Sequence, residues 1–408
     1  MSELPPSHPA LSLPEFCRVF GPLLFPLYRA ALLRKRILLV GEAPVHENCD
    51  LGTSDAIPQT SVTHICTTVY DLSVISSVPA SLLHLLPVDG VPSLRLQPLF
   101  NVGVYDIDSL RLSESSDNTW IACTTDDVLA TKPELFDLLV LLPPTSAKDG
   151  PSKIYPRLVE SDPSLSRNFP KASLKATQRD ARRYRSMRGG LKTLPSYASG
   201  RESGSDNESV GSLASSALSN DSVIERTPWS LAAYESFIWW ASAGEERAGL
   251  TERDESEREQ DRGLLLADLD TMEAVIPGHE GQEAPQEVAL VAYFQRLTAL
   301  IFSTISNAIS RQGGEELRND EFEEYHDGAD GEEAVASSPV HTDADDQPLL
   351  EPESDEPVEI SSEDMEQMGL DIWSAADRKF VEELVRLWWG RQADVRGGKI
   401  ECCGIRLQ

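Results

Sequence analysis

The sequence predicts an α/β fold: a mostly parallel sheet with flanking helices, followed by a mainly α-helical C-terminal part with disordered insertions. Three observations lead there. Helix-like and strand-like apolar patterns alternate from residue 14 to about 144, the arrangement that builds a parallel sheet between helices. Ten serines and several glycines fall within Ser196–Ser222, a composition with too little apolar surface to collapse. Glu315–Glu366 carries 21 acidic residues against one arginine, and self-repulsion of that density opposes a compact state.

Residues 1–13 show no periodicity and are expected to be disordered; the α/β domain is assigned to 14–160. From 14 to 35, Phe16, Val19, Phe20, Leu23, Leu24, Leu27, Tyr28 and Leu32 recur at helical spacing. Pro22 and Pro26 interrupt them and require two helices or one bent one. Arg34, Lys35 and Arg36 follow, where cations suit the negative end of a helix. Ile37–Val40, closed by Gly41, reads as a strand buried on both faces. Tyr70–Leu86 reads as a helix interrupted at Pro79, and Leu99–Val104, Trp120–Thr124 and Leu138–Leu142 as further strands.

Residues 161–192 form a basic, partly helical segment, in which Lys171, Lys175, Arg179, Arg182, Arg183, Arg185, Arg188 and Lys192 face Asp180 alone. A Ser-rich disordered linker is expected over 193–226 and a helical region over 227–312. There Thr227–Pro228 pairs a capping hydroxyl with a proline at the first helical position. Gln286–Arg311 carries Leu290, Phe294, Leu297, Ile301, Ile305 and Ala308 on one stripe. Residues 313–370 are assigned to an acidic disordered insertion, and 371–408 to a C-terminal helix and tail. Ser374 and Asp377 there approximate a capping box ahead of the apolar face Phe380, Val381, Leu384, Leu387 and Trp388.

Charge and motifs narrow the function classes. The 36 basic and 67 acidic residues give a net charge of −31, which disfavours nucleic acid and anionic membrane as partners because both are polyanions. The six cysteines form no CxxC pair, consistent with reduced cytosolic thiols. No secretory signal is visible at the N-terminus. Val288–Ile309 contains Gln295, Arg296, Ser303 and Asn307, which suits a packed helix better than a membrane span, so no transmembrane segment is expected. None of GxxxxGK[ST], GxGxxG, HExxH or GxSxG occurs, and His46 and Cys49 lack a second ligand pair. No catalytic residue, cofactor or metal ion is therefore assigned, and a soluble protein that binds other macromolecules is expected. Asp126 and Asp127 follow a strand, where α/β folds place functional acids, although a turn or helix cap is the commoner role for such a pair. Arg179, Arg182 and Arg183 belong to a solvated helix face or to a contact for an acidic surface, the chain's own acidic segments included. These five residues are the partner-binding candidates. Trp239, Trp240, Trp388 and Trp389 are interface anchors or, more commonly for paired tryptophans, core residues.

Several of these segments resemble the central DENN domain. LLRKRILLV at Leu32–Val40 is similar to its entry from a basic helix end into an apolar strand. GEAPVHENC, YDLSVISSVPASLLHLLP, PLFNVGVYDIDSL and WIACTTDDVL follow in the family's order. The chain is most similar to the LCHN-like branch in its fungal form. LKATQRDARRYRSM at Leu174–Met187 and the distal Trp-rich helices resemble that branch, whose C-terminal part is a fungal domain of unknown function. The resemblance covers 8–192 well and 225–408 loosely. It implies a guanine-nucleotide exchange factor for Rab-type small GTPases in membrane trafficking. Such a protein holds the nucleotide-poor GTPase and speeds GDP release by differential binding, without bond chemistry of its own. Trafficking adaptors are the further partners, and the implied location is cytoplasmic, peripheral on endomembranes. A non-catalytic adaptor on the same fold, or an inactive truncated product, is the alternative. Only about 13 residues precede the first helix where the family carries a longin-like domain, so that domain is expected to be missing. Leu51–Thr68 shows no helical or strand period and separates the family-like NCD from VYDLS; it is expected to be an insertion without a structural element.

Overall fold

The computed structural model describes residues 8–41, 61–88, 90–112, 119–143, 154–161, 173–195, 223–226, 232, 236, 248–266, 285–323, 356–397, 400–402 and 405–407. A 3₁₀ turn, Pro9–Ser12, opens the fold and leads into helix α1 (Leu13–Phe20). Gly21 ends α1 at φ 56, a left-handed conformation that glycine adopts at least cost. Pro22 sits in the 3₁₀ turn that follows, and Pro26 in the first turn of α2 (Leu24–Leu32), where a missing N–H forfeits no helical bond. The two prolines thus divide the segment into two helices. Residues 8–13 are ordered, a correction to the disordered start: Leu13 is fully buried and Ser12 Oγ donates to Asp71 Oδ2 at 2.6 Å.

Strand β1 (Ile37–Val40) is buried at every position. Helix α3 (Ser61–Ile75), strand β2 (Gln97–Leu99), helix α4 (Ile107–Leu112), strand β3 (Trp120–Thr124), helix α5 (Asp127–Ala130), and strands β4 (Leu138–Leu141), β5 (Arg157–Glu160) and β6 (Ser173–Leu174) follow. The sheet order is β2-β3-β1-β4-β5-β6. The first four strands are mutually parallel, with Ile37 opposite both Ile121 and Leu138, and β5 and β6 run antiparallel. One face, including Ile37, Leu39, Ile121, Cys123, Leu138 and Val140, packs under α1, α2 and α3. The other buries Leu38, Trp120, Ala122 and Leu139 against Leu110, Leu129 and Phe136.

Two sequence expectations change here. Residues 61–68, assigned to the insertion, form the first turns of α3, with Ile65 and Thr68 buried. A mixture of threonines and isolated apolar residues concealed the stripe, since Ile65, Val69 and Leu72 continue it at helical spacing. Residues 51–60 lie outside the described residues. The strand read as Leu99–Val104 stops at Leu99, because Asn101 turns the backbone to φ 55.

The C-terminal part contributes helices α6 (Gln178–Leu191), α7 (Ala248–Leu266), α8 (Gln286–Glu323), α9 (Ser362–Gln367) and α10 (Ala375–Trp389). Strand β7 (Val358–Ile360) pairs in parallel with β8 (Ala393–Val395), and β9 (Ile400–Cys402) forms a hairpin with β10 (Ile405–Leu407). The stripe of α8 is buried in the same core as α1 and α2. Tyr28 Oη and Thr298 Oγ1 share a hydrogen bond of 2.6 Å, and the Phe25 and Tyr28 rings lie against Phe294. Trp388 Nε1 donates to Leu32 O at 3.1 Å and Trp389 Nε1 to Leu85 O at 2.9 Å. These tryptophans are therefore core groups that join the two ends of the chain. Trp239 and Trp240 lie outside the described residues. Pro9–Leu32 and Gln286–Gln312 are each long and apolar enough to cross a membrane, yet more than half of the most apolar stretch of each is buried in the fold, and core helices pass the same test.

Parts of both segments expected to be disordered are structured. Val223–Arg226 is held by Ala176 N–H donating to Val223 O and Glu225 N–H to Ala176 O, at 2.9 and 2.8 Å. Within 313–370, α8 continues to Glu323, and residues 356–370 form β7, α9 and the turn after it. Val358 and Ile360 are buried either side of Glu359, and Ser361 and Asp364 make a reciprocal capping box. The acidic residues there serve as caps and as an outward strand face, functions that a charge count over a long window does not register. The remainder of these segments, and the helix read from Trp229 to Trp240 apart from Ala232 and Ser236, lies outside the described residues.

Candidate partner-binding surface

The five candidate residues fall in two places with different chemistry. Helix α6 starts on Thr177, whose hydroxyl accepts from Asp180 N–H while Asp180 Oδ2 accepts from Thr177 N–H. From this first turn the charges point inward. Arg29 of α2 holds Asp180 in two bonds of 2.9 and 2.6 Å and also approaches Asp377 of α10 at 3.3 Å. Burial, with the Asp180 carboxylate adding to it, pushes the Asp377 carboxyl up to about 7 against the pull of Arg29. Arg179 donates twice to Asp261 of α7, at 2.7 and 2.8 Å, and Arg183 Nε donates to the same carboxylate at 3.0 Å. Gly369, at φ 68, lies directly on the Arg183 guanidinium and leaves no space for a side chain.

Arg179 and Arg183 are each 2% exposed, which corrects their assignment as partner contacts: they bind acids of the same chain. Arg182 is partly exposed and is engaged by Glu257 at 2.9 Å. The acids that answer the basic segment lie on α7, in a stretch of mixed charge where no acidic run marks them. Their long-range pairing has no signature in local spacing.

Asp126 and Asp127 stand at the carboxyl ends of the parallel strands. Asp126 caps α5, its Oδ1 accepting from Val128 N–H at 2.9 Å, and its own N–H donates to Thr124 Oγ1 at 3.0 Å. The cap positions Asp127, which is exposed in the first turn of α5. The neighbouring strand β2 runs off the same edge into Phe100 and Asn101. Asn101 N–H donates to Cys123 Sγ at 3.3 Å and Val102 N–H to Cys123 O at 2.9 Å, so β3 carries the loop. Asn101 adopts a left-handed conformation that is uncommon outside glycine, and it leaves Phe100 51% exposed. Gly103 N–H donates to Asp106 Oδ2 at 2.8 Å and opens a 3₁₀ turn, Val104–Asp106, on which Tyr105 is 98% exposed. With Val104 and Val128, these make four of the eight large apolar side chains exposed among the described residues. They occupy two successive loops at one sheet edge, with Asp106, Asp108, Asp126 and Asp127 among them. An apolar surface bordered by acids binds another macromolecule by desolvation and charge complementarity. In an open parallel sheet the carboxyl edge is also where ligands are taken. The sequence reading missed Phe100 and Val104 because it ran the strand through them, and Tyr105 because it lies just beyond that strand; the Asn-Val-Gly at 101–103 was the available turn signal.

Two family models match this chain. Residues 1–152 match DENN domain-containing protein 11, and residues 224–408 match a domain of unknown function, DUF4484. The N-terminal part of the chain is thus similar to a DENN-family protein and its C-terminal part to a domain of unknown function. Among its relatives, DENN domain-containing protein 11 of Xenopus laevis is 30% identical over 138 residues, 34% of this chain and 26% of its own length. The Rattus norvegicus protein of that name is 32% identical over 138 residues, 34% of this chain and 24% of its own. The uncharacterized protein ANR2 of Saccharomyces cerevisiae is 23% identical over 401 residues, 96% of this chain and 58% of its own. The chain thus matches between about a quarter and three fifths of the length of these relatives. No solved structure matches it. The carboxyl-edge loops lie inside the segment matched by the DENN-protein family model.

Proposed function

We propose that this chain is a guanine-nucleotide exchange factor for a Rab-type small GTPase and docks it on the carboxyl edge of the parallel sheet. The observation that carries the reading is the group Phe100, Val104, Tyr105 and Val128, exposed together on the loops after β2 and β3 in a segment similar to a family associated with Rab regulation. The work is differential binding. A surface that favours the nucleotide-poor conformation of its partner lowers the barrier to GDP loss, and each ~1.4 kcal/mol of preference contributes tenfold in rate. The acidic border favours a partner face with basic residues around an apolar centre. Its place of action in this reading is the cytoplasmic face of endomembranes, where trafficking adaptors are further partners.

The test is release of a fluorescent GDP analogue from a panel of Rab GTPases, with the full chain and with a Phe100→Glu/Tyr105→Glu variant. Both side chains are exposed, so thermal melting of the variant should match wild type. Acceleration by wild type is expected for at least one GTPase. The variant should lose at least tenfold, because buried aromatic anchors are worth about 2 kcal/mol or more each. Retention of a GTPase on immobilised chain without acceleration would identify an adaptor in place of an exchange factor.

A further inference from the structure

We propose that Cys66 and Cys123 are a peroxide-responsive thiol pair that closes reversibly into a disulfide beneath the Phe100 loop. Cys66 lies on α3 and Cys123 on β3, and their sulfur atoms are 3.6 Å apart in a hydrogen-bond contact. Both are free thiols. A disulfide needs an S–S separation of about 2.05 Å, an approach that side-chain rotation supplies when two sulfurs already touch. The pair is asymmetric in the way a two-step oxidation requires. Cys66 is half-buried and open to a small oxidant, whereas Cys123 is 2% exposed, its thiol pushed up to about 12 by burial. Cys66 is therefore the sulfur that meets peroxide first. Its sulfur attacks one peroxide oxygen and the O–O bond breaks; the sulfenic acid keeps one hydroxyl, and the other leaves with the Cys66 thiol proton as water. Cys123 sulfur then attacks the Cys66 sulfur, the S–O bond breaks, and the hydroxyl departs with the Cys123 proton as a second water. The two sulfurs together lose two electrons and the peroxide gains them.

The position gives the modification a consequence. Cys123 carries both bonds that hold the loop after β2: its Sγ accepts from Asn101 N–H and its carbonyl from Val102 N–H. Turning that Sγ towards α3 withdraws the acceptor from Asn101, whose left-handed backbone presents Phe100. If the exchange reading holds, the oxidation state of the pair tunes the docking edge; the disulfide itself does not depend on that reading.

The experiment uses the full chain carrying Cys49→Ser, treated with hydrogen peroxide or with diamide and digested with trypsin. Cys66 then falls in fragment Ile37–Arg95 and Cys123 in Leu112–Lys148, each as the sole cysteine. The expected result is a covalent pair of these two fragments that dithiothreitol separates and Cys66→Ser abolishes. Amide exchange at Asn101 should also be faster in the oxidised chain. Free thiols at both positions under both oxidants would overturn the proposal, as would a linked pair with Asn101 exchange unchanged.

Discussion

At the scale of single residues, burial decides what each side chain is worth. Leu39 is fully buried in the central strand, and Leu39→Ala should cost about 2–5 kcal/mol through lost transfer energy and the cavity left behind. A chemical melt checks this, and a change below about 0.5 kcal/mol would misplace the strand. Asp71 has a less usual cost. It is fully buried on α3, and burial pushes its carboxyl up to about 7 against the hydrogen bond from Ser12. Its folded value lies above the unfolded one, so the folded chain holds the proton longer. The contribution of Asp71 to stability is thus fully present below about 3.8 and is lost as pH rises towards about 7. Asp71→Asn keeps an acceptor for Ser12 and cannot ionise. Urea melts at pH 5 and 8, flanking the upper part of that window, should show a smaller loss of stability with pH in the variant than in wild type. Equal slopes would mean that Asp71 is ionised in the fold. Asp126 was legible as a cap because a carboxylate before a short helix has a local partner in the N–H two residues on.

At the scale of elements, legibility followed the range of the interactions that define each one. Strand β1, the proline-split pair α1 and α2, and the stripe of α8 all announce themselves within a few residues. The start of α3 did not, since Thr63, Thr67 and Thr68 read as loop until the helix lies on the sheet. Removing Leu51–Thr68 should therefore unfold the chain or lower its midpoint sharply. The deletion takes the first turns of α3 with buried Ile65 and Thr68, and an Ile→Ala change alone costs about 2–5 kcal/mol. An unchanged melt would show that α3 can begin after Thr68. Helix α6 taught a different lesson: its basic composition allowed a solvated face or a contact for acids of the same chain, and Arg179 and Arg183 follow the second. Arg179 and Arg183 converge on Asp261, and this pairing between distant segments leaves no local trace. Asp261→Asn should destabilise by about 3–5 kcal/mol, because it removes the carboxylate that two buried guanidinium groups share. Denaturant melts measure this, and a loss under about 1 kcal/mol would mean that water reaches the site.

At the scale of the molecule, the two segments matched by separate family models share one interior. Phe25, Tyr28 and Leu32 of the first contact Phe294, Thr298 and Trp388 of the second. Fragments ending after residue 195 or beginning at 224 should each lack a cooperative thermal transition, and the two produced together should regain one. A sharp independent melt from either would establish a self-sufficient domain. This shared interior was invisible in the sequence reading, which placed a separate helical region where the chain in fact returns to its own beginning. Helix α8 makes the point in terms of inheritance. Similarity to other proteins parses this chain into two modules, but an apolar helix that is the floor of its neighbour would leave that neighbour's core open if it were moved away. Recombination that moved either stretch of this chain alone would deliver an unsealed half.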